Sequence, residues 1–311
     1  MVKQKTYHFR EIKNCVMCGN DTSKNVLKGQ RLDNSQGMTP KSKSGISVSI
    51  FQCRNCGLIY SNPQPVPNNI QDHYGIPPED YWKKEEFIYD ENHFKGEIKN
   101  AKELLNPSTS NLRALDIGAG LGKTMLSLKT EGFNVYGLEP SVPFYERAIS
   151  IMKISEDRLK LGAVEDLDYA ENFFDFITFG AVFEHIYQPS LALEKALKWL
   201  KPGGIIHIEI PSSDYLIQTL IDKYFKFIGT GYTTHLSPMH PPYHLYEFKL
   251  KSFEELGKRL NFTVDKHQHY VCMIFPPIPK IFHSLLRRYM SATNTGAQLA
   301  VYLRKSNLCA V

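Results

Sequence analysis

From residue 112 onward, short apolar runs take turns with amphipathic stretches. Leu112, Ala114, Leu115 and Ile117 predict a buried strand over 112–117. The stretch 122–131 has helical periodicity. The alternation then continues: strand 134–139, helix 141–152, strands 158–162 and 174–179, helix 189–200, strand 204–210. A further helix is predicted over 252–260, with strands over 264–270 and 298–304. This order predicts an α/β fold with a doubly wound, seven-stranded, mostly parallel sheet. Ligands of such sheets bind outside the carboxyl ends of the strands. Asp116, Glu139, Glu165 and Gly180 would share that rim.

Before residue 112 the pattern is different. Only short β segments are predicted, at Val26–Leu27, Ser47–Gln52 and Leu58–Tyr60, and Ser35–Ser49 reads as a mobile loop rich in Ser, Lys and Gly. Ser61-Asn-Pro-Gln-Pro-Val-Pro67 is a proline-stiffened exit. A helix is predicted near 84–105, carrying Phe87, Phe94, Ile98, Leu104 and Leu105. The expected organisation is therefore a small module over 1–65, a linker and helical lid over 66–111, and the α/β domain over 112–311. Within that domain lie an acceptor loop over 229–250 and an insertion over 276–296. At 311 residues the chain is long enough for one α/β domain and one small module.

Four of the six cysteines fall in two Cys-x-x-Cys-Gly knuckles: Cys15, Cys18 and Gly19, then Cys53, Cys56 and Gly57. The glycine permits the turn that points both sulfurs at one centre. Four thiolates satisfy tetrahedral zinc with no open position, so the expectation is a structural Zn2+ site. A redox pair normally sits in a βαβ context, which is absent here. Cys272 and Cys309 read as buried or free thiols.

The densest chemistry lies at Leu115-Asp-Ile-Gly-Ala-Gly-Leu-Gly122. A strand breaks into glycines at 118, 120 and 122 and a helix follows, so backbone N–H groups and a helix N-terminus can approach a ligand closely. A dinucleotide fingerprint, Gly-x-Gly-x-x-Gly, would need its third glycine at position 123, which is Lys123. Glu139, at the tip of the second strand, suits a ribose diol.

These residues resemble motifs I and II of class I S-adenosylmethionine (SAM)-dependent methyltransferases, with Val135-Tyr-Gly-Leu-Glu-Pro-Ser141 as the second. The likeness continues through Gly162-Ala-Val-Glu-Asp-Leu167, Phe173-Phe-Asp-Phe-Ile-Thr-Phe179, Val182-Phe-Glu-His-Ile186 and Leu200-Lys-Pro-Gly-Gly204. It implies a Rossmann-like methyltransferase fold closed by an antiparallel hairpin. It also implies a SAM site built from Asp116, Gly118, Ala119, Gly120, Gly122, Glu139, Pro140, Val164, Glu165, Gly180 and Ala181. Cys56-Gly-Leu-Ile-Tyr-Ser-Asn-Pro-Gln-Pro65 resembles the zinc-ribbon end that precedes the catalytic domain in bacterial sugar and polysaccharide-pathway methyltransferases. The catalytic domain resembles that branch and the ubiquinone branch. By the same resemblance the region holding Tyr74, Tyr81 and Trp82 lies over the cofactor, where these rings form a lid or pack the ribbon onto the main domain.

The base candidates are histidines, since an imidazole near neutral pKa takes a proton from a hydroxyl. His185 follows the fourth strand. His235, His240 and His244 lie within a proline-rich loop. Capping or core roles compete with catalysis for each of them. Phe179, Ala181, Val182 and Phe183 would supply dry walls around the transferred methyl group. A second metal at Glu184, His185 and the loop histidines is discounted, because the ubiquinone-branch relatives that hold one carry a further Glu where this chain has Ala181 or Val182.

The leading expectation is transfer of a methyl group from SAM to a hydroxyl of a sugar or sugar nucleotide in surface-polysaccharide biosynthesis, with a loop histidine as the general base and His244, His185 and His240 as the catalytic candidates. An RNA base methyltransferase docking RNA through the ribbon is the alternative, as is a C- or N-methyltransferase of another small metabolite, or a protein that binds SAM without transfer. A net charge of +5 with no concentrated basic block, and Gly180-Ala-Val-Phe-Glu-His185 in place of an Asn/Asp-Pro-Pro-aromatic motif, count against nucleic acid. No apolar run reaches the length of a membrane span and the N-terminus lacks a signal-peptide core, so the expected location is cytoplasmic.

Overall fold

The computed structural model describes residues 6–33, 46–69, 71–75, 77, 79, 87–105, 111–271 and 279–306. Tyr81, Trp82, Cys272 and Cys309 lie outside them. The N-terminal part has β1 (Tyr7–Arg10), β2 (Val26–Leu32), β3 (Ser47–Gln52), β4 (Ile59–Ser61) and β5 (Gln64–Pro67). Then come α1 (Gln71–Tyr74) and α2 (Lys95–Leu104). The helix expected near 84–105 is shorter in the described residues. Asp90 Oδ1 accepts from the Asn92 amide at 2.9 Å, and Phe94 takes a left-handed φ of 61°, so the chain turns before the helix begins.

The main domain runs β6 (Arg113–Ile117), α3 (Lys123–Thr130), β7 (Asn134–Glu139), α4 (Val142–Ser150), β8 (Leu159–Leu161), β9 (Phe174–Gly180), α5 (Pro189–Trp199) and β10 (Leu200–Pro211). It closes with α6 (Leu216–Phe227), β11 (Tyr246–Glu247), α7 (Leu250–Leu260), β12 (Phe262–Tyr270), α8 (His283–Ala292) and β13 (Gln298–Lys305). Seven strands form one sheet in the order β12-β13-β10-β9-β6-β7-β8. The strands from β10 to β8 pair in parallel, whereas β13 is antiparallel to both β10 and β12. β9 is buried along nearly its whole length, Phe174–Phe179, as a parallel strand covered on both faces must be. Helices α6 and α8 are two elements that the sequence reading did not anticipate; α8 occupies the insertion over 276–296.

The N-terminal module is welded to the main domain. β11, which lies in the 229–250 loop, pairs antiparallel with β4, Tyr246 opposite Tyr60, and extends the sheet β11-β4-β3-β2. One hydrophobic core holds Met17, Leu58 and Tyr60 of the module together with Phe248, Phe253 and Leu256 and the sheet residues Ile206 and Ile208. The Arg259 guanidinium donates to the Met17 carbonyl at 2.6 Å and the Ser252 hydroxyl to the Cys56 carbonyl at 3.0 Å. The boundary expected at residue 65 falls within β5, which pairs with β1.

Candidate active site

The turn after β6 is made by glycines that all take left-handed backbone: φ is 72° at Gly118, 55° at Gly120 and 80° at Gly122. A Cβ at Gly118 would stand 2.4 Å from Val182 Cγ2, so the loop can pass this close to the end of β9 only without one. The Gly118 and Ala119 amides donate to the Leu138 carbonyl at 2.8 and 2.9 Å, which anchors the loop to β7. Gly122 does a different job. It sits at the N-cap of α3, and a Cβ there would meet Ile154 at 2.6 Å.

Over this turn opens a cavity of about 760 Å³, within the range of small-molecule sites. Asp116, Gly118, Ala119, Gly120, Glu139 and Pro140 line one part of it. Val164, Glu165, Gly180, Ala181 and His185 line the rest of the expected set; Gly122, His240 and His244 do not line it. The residues fit a nucleoside cofactor on two observations. Glu139 holds both oxygens in place through backbone donors, Gly120 N–H at 2.6 Å and Ser141 N–H at 2.7 Å, and a carboxylate retains further lone pairs for two hydroxyls. Asp116 Oδ2 is buried with no hydrogen-bond partner. Burial lifts both acids to about 7, and Glu139 adds to the rise at Asp116.

Residues that the sequence reading missed complete the walls. Gln71 and His73 of α1, with Tyr187 and Tyr243, line the cavity. Gln71 Nε2 donates to the Pro140 carbonyl at 3.1 Å. Ser141 Oγ donates to the Tyr74 carbonyl at 2.6 Å, and Tyr74 Oη to the His185 carbonyl at 3.1 Å. So α1, which ends in Tyr74, is bonded to the rim of the cavity at Pro140, Ser141 and His185. No local signal marks Gln71 or His73, because they reach the site from well over forty positions before the glycine turn.

The carboxyl end of β9 leads into Ala181, a non-glycine residue at φ 54°, and a short 3-10 turn, Phe183–His185. This turn brings Glu184 and His185 against His244 from the acceptor loop. Donor atoms of the three lie within 4.8 Å of one another. Glu184 Oε1 is 4.0 Å from His185 Nε2 and 3.8 Å from His244 Nε2. His185 Nδ1 is 3.2 Å from the Tyr243 carbonyl, which only accepts, so Nδ1 carries the proton and Nε2 is left as the basic nitrogen. Burial pushes His185 down to about 4 and His244 well below its usual value, so both imidazoles are neutral at pH 7. Burial pushes Glu184 up to about 8.

The other loop histidines sit elsewhere. His235 is buried between two acids, with Nδ1 2.5 Å from Glu247 Oε2 and Nε2 3.4 Å from Asp222 Oδ2. His240 is buried, and Arg31 of the N-terminal module helps to push its imidazole down to about 4 after burial itself.

The four knuckle sulfurs also converge. Cys15 Sγ lies 3.6 Å from Cys56 Sγ and Cys18 Sγ 3.6 Å from Cys53 Sγ, with all four within 4.8 Å. A tetrahedron with Zn–S bonds of about 2.3 Å has edges of about 3.8 Å, so the donor set fits that ion. The two turns are closed by Gly19 N–H to Cys15 O and Gly57 N–H to Cys53 O, at φ 77° and 78°.

Comparison with known proteins identifies the family of the chain. The methyltransferase domain family matches residues 89–267. The ubiquinone biosynthesis O-methyltransferase of Candida albicans is 33% identical over 122 residues, 37% of this chain and 36% of that protein. Its counterpart in Nitrobacter winogradskyi is 32% identical over 114 residues, 35% of this chain and 41% of that protein. The matches therefore span less than half the length of these two relatives. The tRNA 5-carboxymethoxyuridine methyltransferase of Escherichia coli is 24% identical over 57% of this chain and 78% of its own length. A solved SAM-dependent methyltransferase from Mesorhizobium loti superposes over 70% of this chain and 100% of its own, at 14% identity and a TM-score of 0.47. With the family matched over more than half of its length, this chain belongs to the methyltransferase domain family.

Proposed function

We propose that the protein transfers a methyl group from SAM to a hydroxyl of a small acceptor, with His185 as the general base. The carrying observation is that the neutral His185, its basic Nε2 fixed by the Tyr243 carbonyl, lines the same cavity as the glycine turn and Glu139. When bound, SAM supplies a methyl group already activated by its sulfonium charge. The chain's own residues do the rest. Glu139 accepts from the ribose hydroxyls, the 118–120 turn brings the backbone up to the cofactor, and Asp116 offers its unpartnered oxygen. His185 takes the acceptor's proton, its imidazole held by the Tyr243 carbonyl and packed edge-on against His244. Phe179 and Phe183, edge to face at 5.4 Å, keep the end of β9 apolar. The four-cysteine cluster holds Zn2+ in a purely structural role, since four thiolates leave no open position.

The acceptor we favour is a sugar or sugar nucleotide. Tyr74, Tyr187 and Tyr243 give the cavity aromatic walls beside the basic nitrogen, as stacking on a sugar ring requires. This choice rests on those walls and on the sequence resemblance; the relatives above are named for ubiquinone biosynthesis and for tRNA. The tRNA enzyme's match over more than half of the chain makes RNA the second reading. Incubation of the zinc-loaded protein with methyl-labelled SAM and a cell extract, split into small-molecule and RNA fractions, separates the two. Label in the sugar-nucleotide fraction is expected. Label in RNA overturns the small-acceptor reading.

A further inference from the structure

Helices α6 and α8 are each only partly covered, and each leaves an apolar stripe exposed. Leu220, Tyr224 and Phe227 lie at i, i+4 and i+7 on α6; Ile281, Leu285 and Tyr289 lie at i, i+4 and i+8 at and along α8. All six are exposed, Phe227 by 87%, Ile281 by 80% and Leu285 by 67%. Single exposed apolar residues are ordinary, but two stripes on neighbouring helices are not. The covered edges of the two helices are tied down. Ile217 and Met290 share a buried cluster with Tyr215, and the Leu216 amide donates to the Thr295 carbonyl at 3.2 Å. Pro211 at the end of β10 pairs with Gln298 at the start of β13, so both helices emerge at the carboxyl edge of β10. That is the edge of the sheet on which the cavity opens.

The charges beside the stripes are of one sign. Lys223, Lys226, Arg287 and Arg288 are all exposed. The one carboxylate on the two helices, Asp222, is buried and accepts from Thr233 Oγ1 at 2.7 Å and the Thr234 amide at 2.9 Å. A second copy of this chain docked on the same face would set this basic group against itself. A negatively charged lipid surface complements it: aromatic and aliphatic tips enter the acyl boundary while Lys and Arg reach the phosphates. We propose that α6 and α8 form a peripheral docking surface for anionic phospholipid membranes and present the mouth of the cavity to the bilayer. This is binding to the membrane plane, not insertion across it; no helix among the described residues is long and apolar enough to span a bilayer.

The test is sedimentation of the zinc-loaded full chain with vesicles of phosphatidylglycerol and phosphatidylcholine, against vesicles of phosphatidylcholine alone, with no SAM present. The protein should pellet with the anionic vesicles and be largely released by high salt. Phe227→Ser with Leu285→Ser should lower the bound fraction at least tenfold while the melting temperature stays unchanged. Lys226→Gln with Arg288→Gln, both exposed, should weaken anionic binding by about fivefold for each charge removed. Failure to pellet with anionic vesicles overturns the proposal, as does binding that survives the Phe227 and Leu285 changes. A dimer seen by light scattering and broken by the same pair would assign the face to self-association instead. None of these readouts depends on methyl transfer, so the proposal stands or falls apart from the acceptor reading.

Discussion

At the scale of single residues, the site places two buried acids, Asp116 and Glu139, where a sulfonium-bearing nucleoside would lie. Burial holds both near 7, so each is only partly ionised in neutral solution. The ribose hydroxyls and the cationic sulfur both favour the ionised form. SAM affinity should therefore strengthen as pH rises from 6 to 8 and level off above that, which calorimetric titration across the range would show; a flat profile would contradict the assignment. Glu139→Gln keeps the shape but donates where Glu139 accepts, and should weaken SAM by about 10- to 100-fold, the scale of a lost charged hydrogen bond. His185→Asn should act differently. It leaves the cofactor contacts alone and removes the base, so kcat should fall by about 10²- to 10⁴-fold with SAM affinity nearly constant. If kcat barely changes, the proton leaves by another route, with His244 the nearest candidate, its ring centroid 5.0 Å from that of His185.

At the scale of elements, the N-terminal module does more than precede the catalytic domain. Strand β11 belongs to the loop that carries His240 and His244, yet it pairs with β4 of the module. The module that carries the cysteine knuckles therefore braces the 229–250 loop. Removing zinc with a chelator, or substituting Cys56→Ser, should loosen Leu58, Tyr60 and Tyr246 together, because they share one core. The expected result is loss of activity and a melting temperature lower by several degrees, restored by zinc in the chelated wild type but not in the variant. Activity that survives chelation would uncouple the module from the site. This connection was not legible in the sequence. The knuckles, the glycine turn and the β6–β10 alternation are local patterns, and the strand at Asn134–Glu139 lies where the sequence places it. What the sequence hides is pairing between distant segments: β4 with β11, α1 with Pro140 and Ser141 after β7, and the Tyr243 carbonyl with His185. Helix α6 was missed for a related reason. Its apolar positions form one continuous face from Leu216 to Phe227, with Gln218, Asp222 and Lys226 on the other, but only part of that face, Ile217 and Phe225, is buried, and no capping side chain marks its start.

At the scale of the whole molecule, the buried titratable groups pull stability in opposite directions with pH. Neutral buried histidines, among them His185 and His207, bind protons more weakly folded than unfolded, so they add stability as pH rises toward about 7 and nothing further above it. The raised acids do the reverse. Asp116 and Glu139 near 7 and Glu184 near 8 bind protons more tightly folded than unfolded, so each removes stability as pH rises from about 4 through its folded value. Below neutrality the two sets offset one another. Between pH 7 and 8 only the acids still titrate, and the SAM-free, zinc-loaded protein should lose on the order of 1–2 kcal/mol, a drop of about 2–3 °C in melting temperature. Saturating SAM should flatten this decline, because a cation and two hydroxyl donors in the cavity favour ionised Asp116 and Glu139 at lower pH. Asp116→Asn should flatten part of it without SAM. Scanning calorimetry at pH 7.0, 7.5 and 8.0, with and without SAM, checks both; a melting temperature that rises over this interval would mean that the cavity acids are ionised already and that their isolation from water is not what sets their charge.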